Sequence, residues 1–260
     1  MFLDSSALAI ANLNINGHHI TEQEGFLKHV IPLRVAHIKL GWNKVSLRYF
    51  TPYNNNRVGL HSFIDQQDKK QYLYSQFEAY HCFRVFPCFD QPNLKATMTL
   101  SLTIPDDWIA VGNEKEVRYD HASKEGKRVL EKFCTSWFLD FYADQSKVAA
   151  YAFDKTPKIS TYLYALCAGP YRVFEDYDPM YVPQRVYVRE SLVENLRYEL
   201  IMGITKTTLD LYQKTYGHRY PFSKVDHVMC PDYKFGAMEN VGCITYSDGI
   251  MCSSKTMSIP

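Results

Sequence analysis

Ala96-Thr97-Met98-Thr99-Leu100-Ser101-Leu102-Thr103-Ile104 alternates apolar and hydroxyl-bearing residues without a break. Successive side chains of a strand point to opposite faces. This period of two therefore puts Ala96, Met98, Leu100, Leu102 and Ile104 on one buried face, with the hydroxyls on a solvated one. The stretch predicts an antiparallel sheet with its core on one side. Val45, Leu47 and Tyr49 alternate with Ser46 and Arg48 in the same way. Asn16-Gly17 has the composition of a two-residue hairpin turn, and Lys124-Glu125-Gly126-Lys127 offers a second. A further strand is expected over 160–167, closed by Gly169-Pro170.

The character of the chain changes after Phe174. A connection containing Pro and Asp, 175–184, leads to a short strand over 185–189 and then to the one convincing helix, 192–215. Ser191 and Glu194 have the spacing of a capping box, and Gly217 suits the left-handed position that ends a helix. Val193, Leu196, Leu200, Ile204 and Leu211 recur at helical steps and are expected to face a sheet. Tyr220-Pro221-Phe222 breaks the chain before an apolar strand over 225–230. A domain boundary is expected near 174, giving units 1–174 and 175–260.

Composition bounds the function. A chain of 260 residues, 46% hydrophobic, can bury a substantial core. The net charge is +1, from 29 basic and 28 acidic residues spread along the whole length, so nucleic acid is not an expected partner. Twenty Tyr and 15 Phe favour strands and aromatic-lined clefts. Seven scattered cysteines without a CxxC pair read as buried thiols in a reducing compartment. The N-terminus lacks the basic start of a secretion signal, and no apolar run reaches the ~20 residues that span a bilayer. A cytoplasmic protein with no membrane partner is expected.

Two short segments could carry chemistry. Gly236-Ala237-Met238-Glu239-Asn240 follows Pro231-Asp232-Tyr233-Lys234-Phe235. Gly236 and Ala237 are too small to fill a core. Their use is to let another backbone approach, as when an extended peptide adds to a sheet edge. The Glu239 carboxylate could then meet that peptide's ammonium group, whereas an ordinary Gly-Ala-x-Glu stretch would be a turn with a solvated Glu. Glu78, in Gln76-Phe77-Glu78, gains meaning from this second carboxylate. An ammonium withdrawn from water needs charged partners, and two carboxylates would hold a free peptide N-terminus and reject a blocked one. Arg84 to Pro92 reads as a rigid structural segment with an Arg84–Asp90 pair and an inert thiol at Cys88. None of the nine histidines forms H-x-x-x-H, and His227 and Cys230 fall on opposite faces of a strand. No phosphate loop or nucleophile elbow is present, so no catalytic residue is assigned within the chain.

With these segments in hand, the chain resembles the zinc aminopeptidases of the aminopeptidase N type, a gluzincin family that includes puromycin-sensitive aminopeptidases. The resemblance is densest at 72–103, with Q-x-E and F-P-C-F-D-x-P, and at 220–246, with G-A-M-E-N. It implies a mainly β fold: an N-terminal antiparallel β-sandwich or saddle domain, then the truncated start of a thermolysin-like catalytic domain with a mixed sheet and one helix. It implies that Glu78 and Glu239 bind the substrate's α-amino group and that Gly236 and Ala237 contact its backbone. Gln76 and Phe235 would line the pocket for the first side chain, and Met238 and Asn240 complete the motif. In that family zinc is held by two His of His-Glu-x-x-His and a later Glu. Those groups normally follow G-A-M-E-N, and Pro260 is reached first. The chain by itself is therefore expected to bind no zinc and to turn over no peptide with a free N-terminus. The alternative is a non-catalytic module that binds peptide N-termini or docks to a partner.

Overall fold

A computed structural model describes residues 1–21, 27, 29–120 and 147–252. The turn expected at Lys124–Lys127 lies outside these residues, as do His121 and Cys134. The fold is mainly β, with antiparallel sheets, one long helix and a mixed sheet, as the sequence predicts. Two compact units form. The first draws on Met1–His61, Ser75–Ala96 and Ile159–Tyr164, and the second on Ser62–Tyr74, Thr97–Lys158 and Ala165–Pro260.

The first unit holds β1 (Phe2–Asp4), β2 (Ala9–Ile15), β3 (His18–His19), β4 (Val30–Pro32) and β5 (Val45–Phe50). β1 pairs with β4, and β2 lies between β3 and β5, all antiparallel. Asn16 and Gly17 both take positive φ, 55° and 94°, so the β2–β3 turn is the two-residue hairpin that the sequence predicts. Leu3, Leu13, Ile15, Ile20, Ile31 and Leu33 form the core, with Val45 and Leu47 against it. Tyr49, the third apolar position of that alternation, lies on the exposed side of the burial boundary.

The Arg84–Asp90 pair does not form. Arg84 Nε donates to His81 Nδ1 at 3.2 Å, while the Asp90 carboxylate accepts from the Phe83 amide at 3.0 Å and the Thr161 hydroxyl at 2.8 Å. Ser160 Oγ likewise donates to the Pro92 carbonyl at 2.6 Å. These side-chain bonds compete with a strand ladder. The strand expected over 160–167 is accordingly a 3-10 turn, Thr161–Leu163, with ladder pairing only at Leu166–Gly169.

The next strands are β6 (Gly59–Ile64), β7 (Gln71–Gln76), β8 (Ser101–Pro105), β9 (Ile109–Gly112), β10 (Glu116–Asp120), β11 (Val148–Phe153) and β12 (Leu166–Gly169). They form sheets in the orders β6-β7-β12-β9 and β10-β11-β8. β8 is shorter than the alternation predicts. Towards its start, the Met98 amide bonds the Thr156 side chain at 2.9 Å instead of a backbone acceptor. Thr156 precedes Pro157, which has no N–H to continue a ladder.

A five-stranded mixed sheet completes the second unit: β13 (Arg172–Asp176), β14 (Gln184–Val188), β15 (Val225–Cys230), β16 (Ala237–Met238) and β17 (Cys243–Ser247). Its order is β13-β14-β15-β17-β16, parallel at β14–β15 and β15–β17 and antiparallel at both outer pairs. Every residue of the central β15 is buried, as befits a strand paired in parallel on both sides. Helix α1 (Tyr198–Tyr216) provides the crossover from β14 to β15, and one short turn, α2 (Asp248–Met251), follows β17.

α1 begins six residues later than the sequence predicts, after a 3-10 segment at Glu190–Asn195. The capping box fails because Ser191 Oγ donates to Asp65, which also pairs with Arg189 at 2.7 Å. The later start rotates the buried face. Ile201 and Met202 enter the core with Val186, Val188 and Met229, whereas Ile204 and Leu211 are 56% and 58% exposed. The C-terminal cap is as predicted, with Gly217 at φ 72° and its amide on the Gln213 carbonyl.

His227 on β15 is fully buried. Thr205 gives its hydroxyl proton to the Ile201 carbonyl, which leaves Thr205 Oγ1 to accept from His227 Nε2–H at 3.4 Å. Nδ1, 3.1 Å from the Tyr246 hydroxyl, is then the acceptor. This arrangement suits neutral imidazole. Burial pushes the pKa down to about 4, against a smaller opposing pull from Asp226. Above about pH 6.5 the ring is neutral in both states and contributes no pH dependence. Between there and pH 4 the unfolded chain takes up a proton that the folded one refuses. Stability should fall over that window by on the order of 3 kcal/mol. Denaturant melts at pH 7 and 4.5 should show the loss, and His227→Gln should reduce it.

Candidate functional site

The segment 235–240 lies at the open edge of the mixed sheet. Ala237 and Met238 form β16, paired among the described residues on one side only, with Tyr246 and Thr245 of β17. The Gly236 carbonyl accepts from the Ser247 amide at 2.9 Å, which extends the pairing by one residue. Burial alternates along the segment: Gly236, Ala237 and Glu239 are exposed, while Met238 and Asn240 are inside. Met238 and Asn240 thus hold the strand, and the small residues and the carboxylate face outward. Glu239 makes no ion pair with any described residue.

Gly236 is informative because nothing among the described residues demands it. A Cβ there would meet only Ile250, at 4.0 Å. Gly242 is the opposite case, with φ 66° and with a Cβ position 2.1 Å from the Asn113 carbonyl oxygen. Two glycines six residues apart therefore have different reasons to exist.

The inner end of the segment is held by residues that no sequence pattern singles out. Asn113 Nδ2 donates to the Val241 carbonyl at 2.8 Å, and its Oδ1 accepts from the Ala165 amide at 2.9 Å. Lys224 is buried, its ammonium donating to Gly112 and Gly242 carbonyls at 2.7 and 2.8 Å and to Asp226 at 2.6 Å. Arg185 pairs with Asp226 at 2.8 Å and, in a second bidentate contact, with Glu116. Burial opposes the Arg185 charge, but its hydrogen bonds to Glu116 and Asp226 prevail and raise its pKa. The outer loop is tied by Tyr233, whose hydroxyl lies 2.8 Å from Thr245 Oγ1, the acceptor of the Asn240 amide at 3.2 Å. Phe235 stays 38% exposed beside Lys234, whose ammonium sits 5.4 Å from the ring centroid.

Gln76 and Glu78 belong to the first unit. Glu78 is exposed, and its peptide bond to Ala79 is cis. Gln76 is 1% exposed, and neither its amide nitrogen nor its oxygen has a hydrogen-bond partner among the described residues. Such groups are uncommon because an unmade bond costs roughly 1–3 kcal/mol. The segments 76–78 and 235–240 fall in different units, and neither unit alone brings the two carboxylates together. Two cavities of about 390 Å³ in the second unit have linings that include none of residues 235–240.

The residues present do not fit the zinc site that the resemblance implies. Among the described residues, the metal-ligating cluster is Cys82, Cys88 and Asp90, without a histidine. No helix of the described residues is long and apolar enough to cross a membrane.

Residues 2–137 match the sequence profile of the Peptidase M1 N-terminal domain, and residues 200–259 match that of the Peptidase family M1 domain. Over 258 residues the chain is 31% identical to aminopeptidase N of Streptomyces lividans, covering 98% of this chain and 27% of that relative. It is 28% identical to aminopeptidase M1 of Arabidopsis thaliana, over 84% of this chain and 22% of the relative. Aminopeptidase N of Acetobacter pasteurianus is 31% identical over 74% of this chain and 48% of its own length. The chain belongs to peptidase family M1, the gluzincin aminopeptidases, and spans between about a fifth and a half of the length of these relatives.

Replacing Gly242 with Ala should cost at least about 2 kcal/mol from the left-handed backbone and the clash with Asn113. Lys224→Met should cost on the order of 3 kcal/mol, because it strips a donor from two buried carbonyls and one ion from a buried pair. Gly236→Ala should leave stability unchanged. Thermal melts of the three variants test this ordering.

Proposed function

We propose that this chain is the substrate-recognising part of a zinc-dependent aminopeptidase, an exopeptidase that removes N-terminal residues from peptides. The β domain is assigned to 1–174 and the start of the catalytic domain to 175–260, a boundary that falls between the two profile matches. The observation that carries the reading is Glu239, an exposed carboxylate without an ion-pair partner among the described residues, two residues past an exposed Ala237 on an open sheet edge. A peptide that adds to β16 as a strand brings its ammonium group to this carboxylate; Glu78 is assigned an amine-binding role by the family resemblance alone. Gly236 and Ala237 let the peptide backbone approach. Phe235 borders the first side chain, Met238 and Asn240 support the strand from inside, and Gln76 is assigned to the first-side-chain pocket by the family resemblance alone.

Zinc supplies the family's hydrolytic chemistry by acidifying a bound water and polarising the peptide carbonyl. This chain has no His-Glu-x-x-His, so its residues bind and orient the substrate and exclude blocked N-termini, and the isolated chain turns over no peptide. A cytoplasmic setting accords with its cysteine usage.

Fluorescence anisotropy with a labelled tetrapeptide tests the reading on the 260-residue chain. The peptide with a free amine should bind, and its N-acetylated form should bind at least 10-fold more weakly, the equivalent of one charge-assisted hydrogen bond. Glu239→Gln should erase that preference. Gly236→Ala should weaken both peptides while the melting temperature stays the same. Equal binding of the free and acetylated peptides would overturn the proposal.

A further inference from the structure

Cys82, Cys88 and Asp90 bring two sulfurs and one carboxylate oxygen within 4.8 Å of one another. We propose that these three side chains form a binding site for a thiophilic d10 dication, with Zn2+ the best match. The expectation of an inert Cys88 rests on its apolar flanks and that of a zinc-free chain on histidine spacing, and neither weighs a thiolate set.

Three ligand atoms that close lie no more than about 2.8 Å from a common centre, and contraction of a few tenths of an ångström gives Zn–S near 2.3 Å and Zn–O near 2.1 Å. Two thiolates with a carboxylate suit zinc in preference to the harder magnesium or calcium.

The frame around the site is fixed. Cys82 opens the 3-10 turn Cys82–Arg84 and is wholly buried. Cys88 is locked by both of its backbone groups, its carbonyl accepting from the Asp4 amide at 2.8 Å and its amide donating to the Asp4 carbonyl at 3.1 Å. The Asp90 amide donates to Asp4 Oδ2 at 3.2 Å. The Asp90 carboxylate takes one hydrogen bond on each oxygen, from the Phe83 amide and the Thr161 hydroxyl, and each oxygen keeps a second lone pair. Metal-bound carboxylates are oriented by outer hydrogen bonds of this kind. Cys88 and Asp90 are only half-buried, so the ion has a way in and a water can complete four-coordination.

Two adjacent thiols could instead form a redox pair. The geometry favours the metal. The Asp90 carboxylate stands as a third ligand atom beside both sulfurs, which a metal uses and a disulfide does not, and Cys82 is closed to an oxidant in solution. A dication binds the two sulfurs as thiolates and releases their protons to solvent.

The test uses the 260-residue chain, reduced and stripped with a chelator, then titrated with Zn2+ and with Cd2+ as a spectroscopic substitute. One equivalent of Cd2+ should give a thiolate-to-metal charge-transfer band in the wild type, and Cys82→Ser/Cys88→Ser should lose it. Asp90→Asn should weaken Zn2+ binding 10- to 100-fold. A variant that fails to fold does not block the test, because residue-resolved alkylation of the wild type needs no substitution. Zn2+ should slow modification of Cys88 at least tenfold relative to the other cysteines. An unchanged alkylation rate sinks the proposal, and a Cys82–Cys88 disulfide peptide from that sample assigns the pair to redox chemistry instead.

Discussion

The buried ammonium of Lys224 is the interaction on which the mixed sheet depends. It reaches the Gly112 carbonyl at the end of β9, the Gly242 carbonyl just before β17, and Asp226 on β15, the strand that begins one residue after Lys224. Asp226 passes the charge to Arg185 on β14, and Arg185 to Glu116 on β10. A charge this deep is tolerated only when its partners are close and complete. Here each partner comes from a different strand, so satisfying the charges also fixes where those strands lie. The segment 235–240 is anchored beside this network, because Lys224 holds the Gly242 carbonyl and Asn113 the Val241 carbonyl while 236, 237 and 239 stay exposed.

Much of the fold was legible in the sequence, and the exceptions share a cause. The Asn16-Gly17 turn, the Gly217 cap and the apolar run of β15 were readable because each is decided by φ, ψ and burial within a few residues. The capping box at Ser191 was misread because its hydroxyl is taken by Asp65, 126 positions away. The strand expected over 160–167 gave way to bonds with Asp90 and Pro92, about 70 positions distant. Local pattern is a sound guide until a long-range polar partner offers a better bond.

The candidate site divides in the same way. Its outward residues were visible from composition: two small residues, a carboxylate and an aromatic flank. Its supports were not. Asn113 and Lys224 act across 128 and 18 residues on carbonyls, which every residue has, and so leave no mark in sequence spacing. Gly236 and Gly242 look alike as letters, yet one leaves room for a visitor and the other makes room for Asn113.

The edge strand β16 is two residues long. An exposed edge ordinarily invites promiscuous pairing with other chains, and short edges are one way of discouraging it. So short an edge gives an incoming backbone only a few hydrogen bonds, too few to hold the middle of a long strand. Residence there must be brief unless something at the terminus adds to the grip. Brevity at the edge thus turns a sticky surface into a fast-exchanging one, on which a chain's end is distinguishable from its middle.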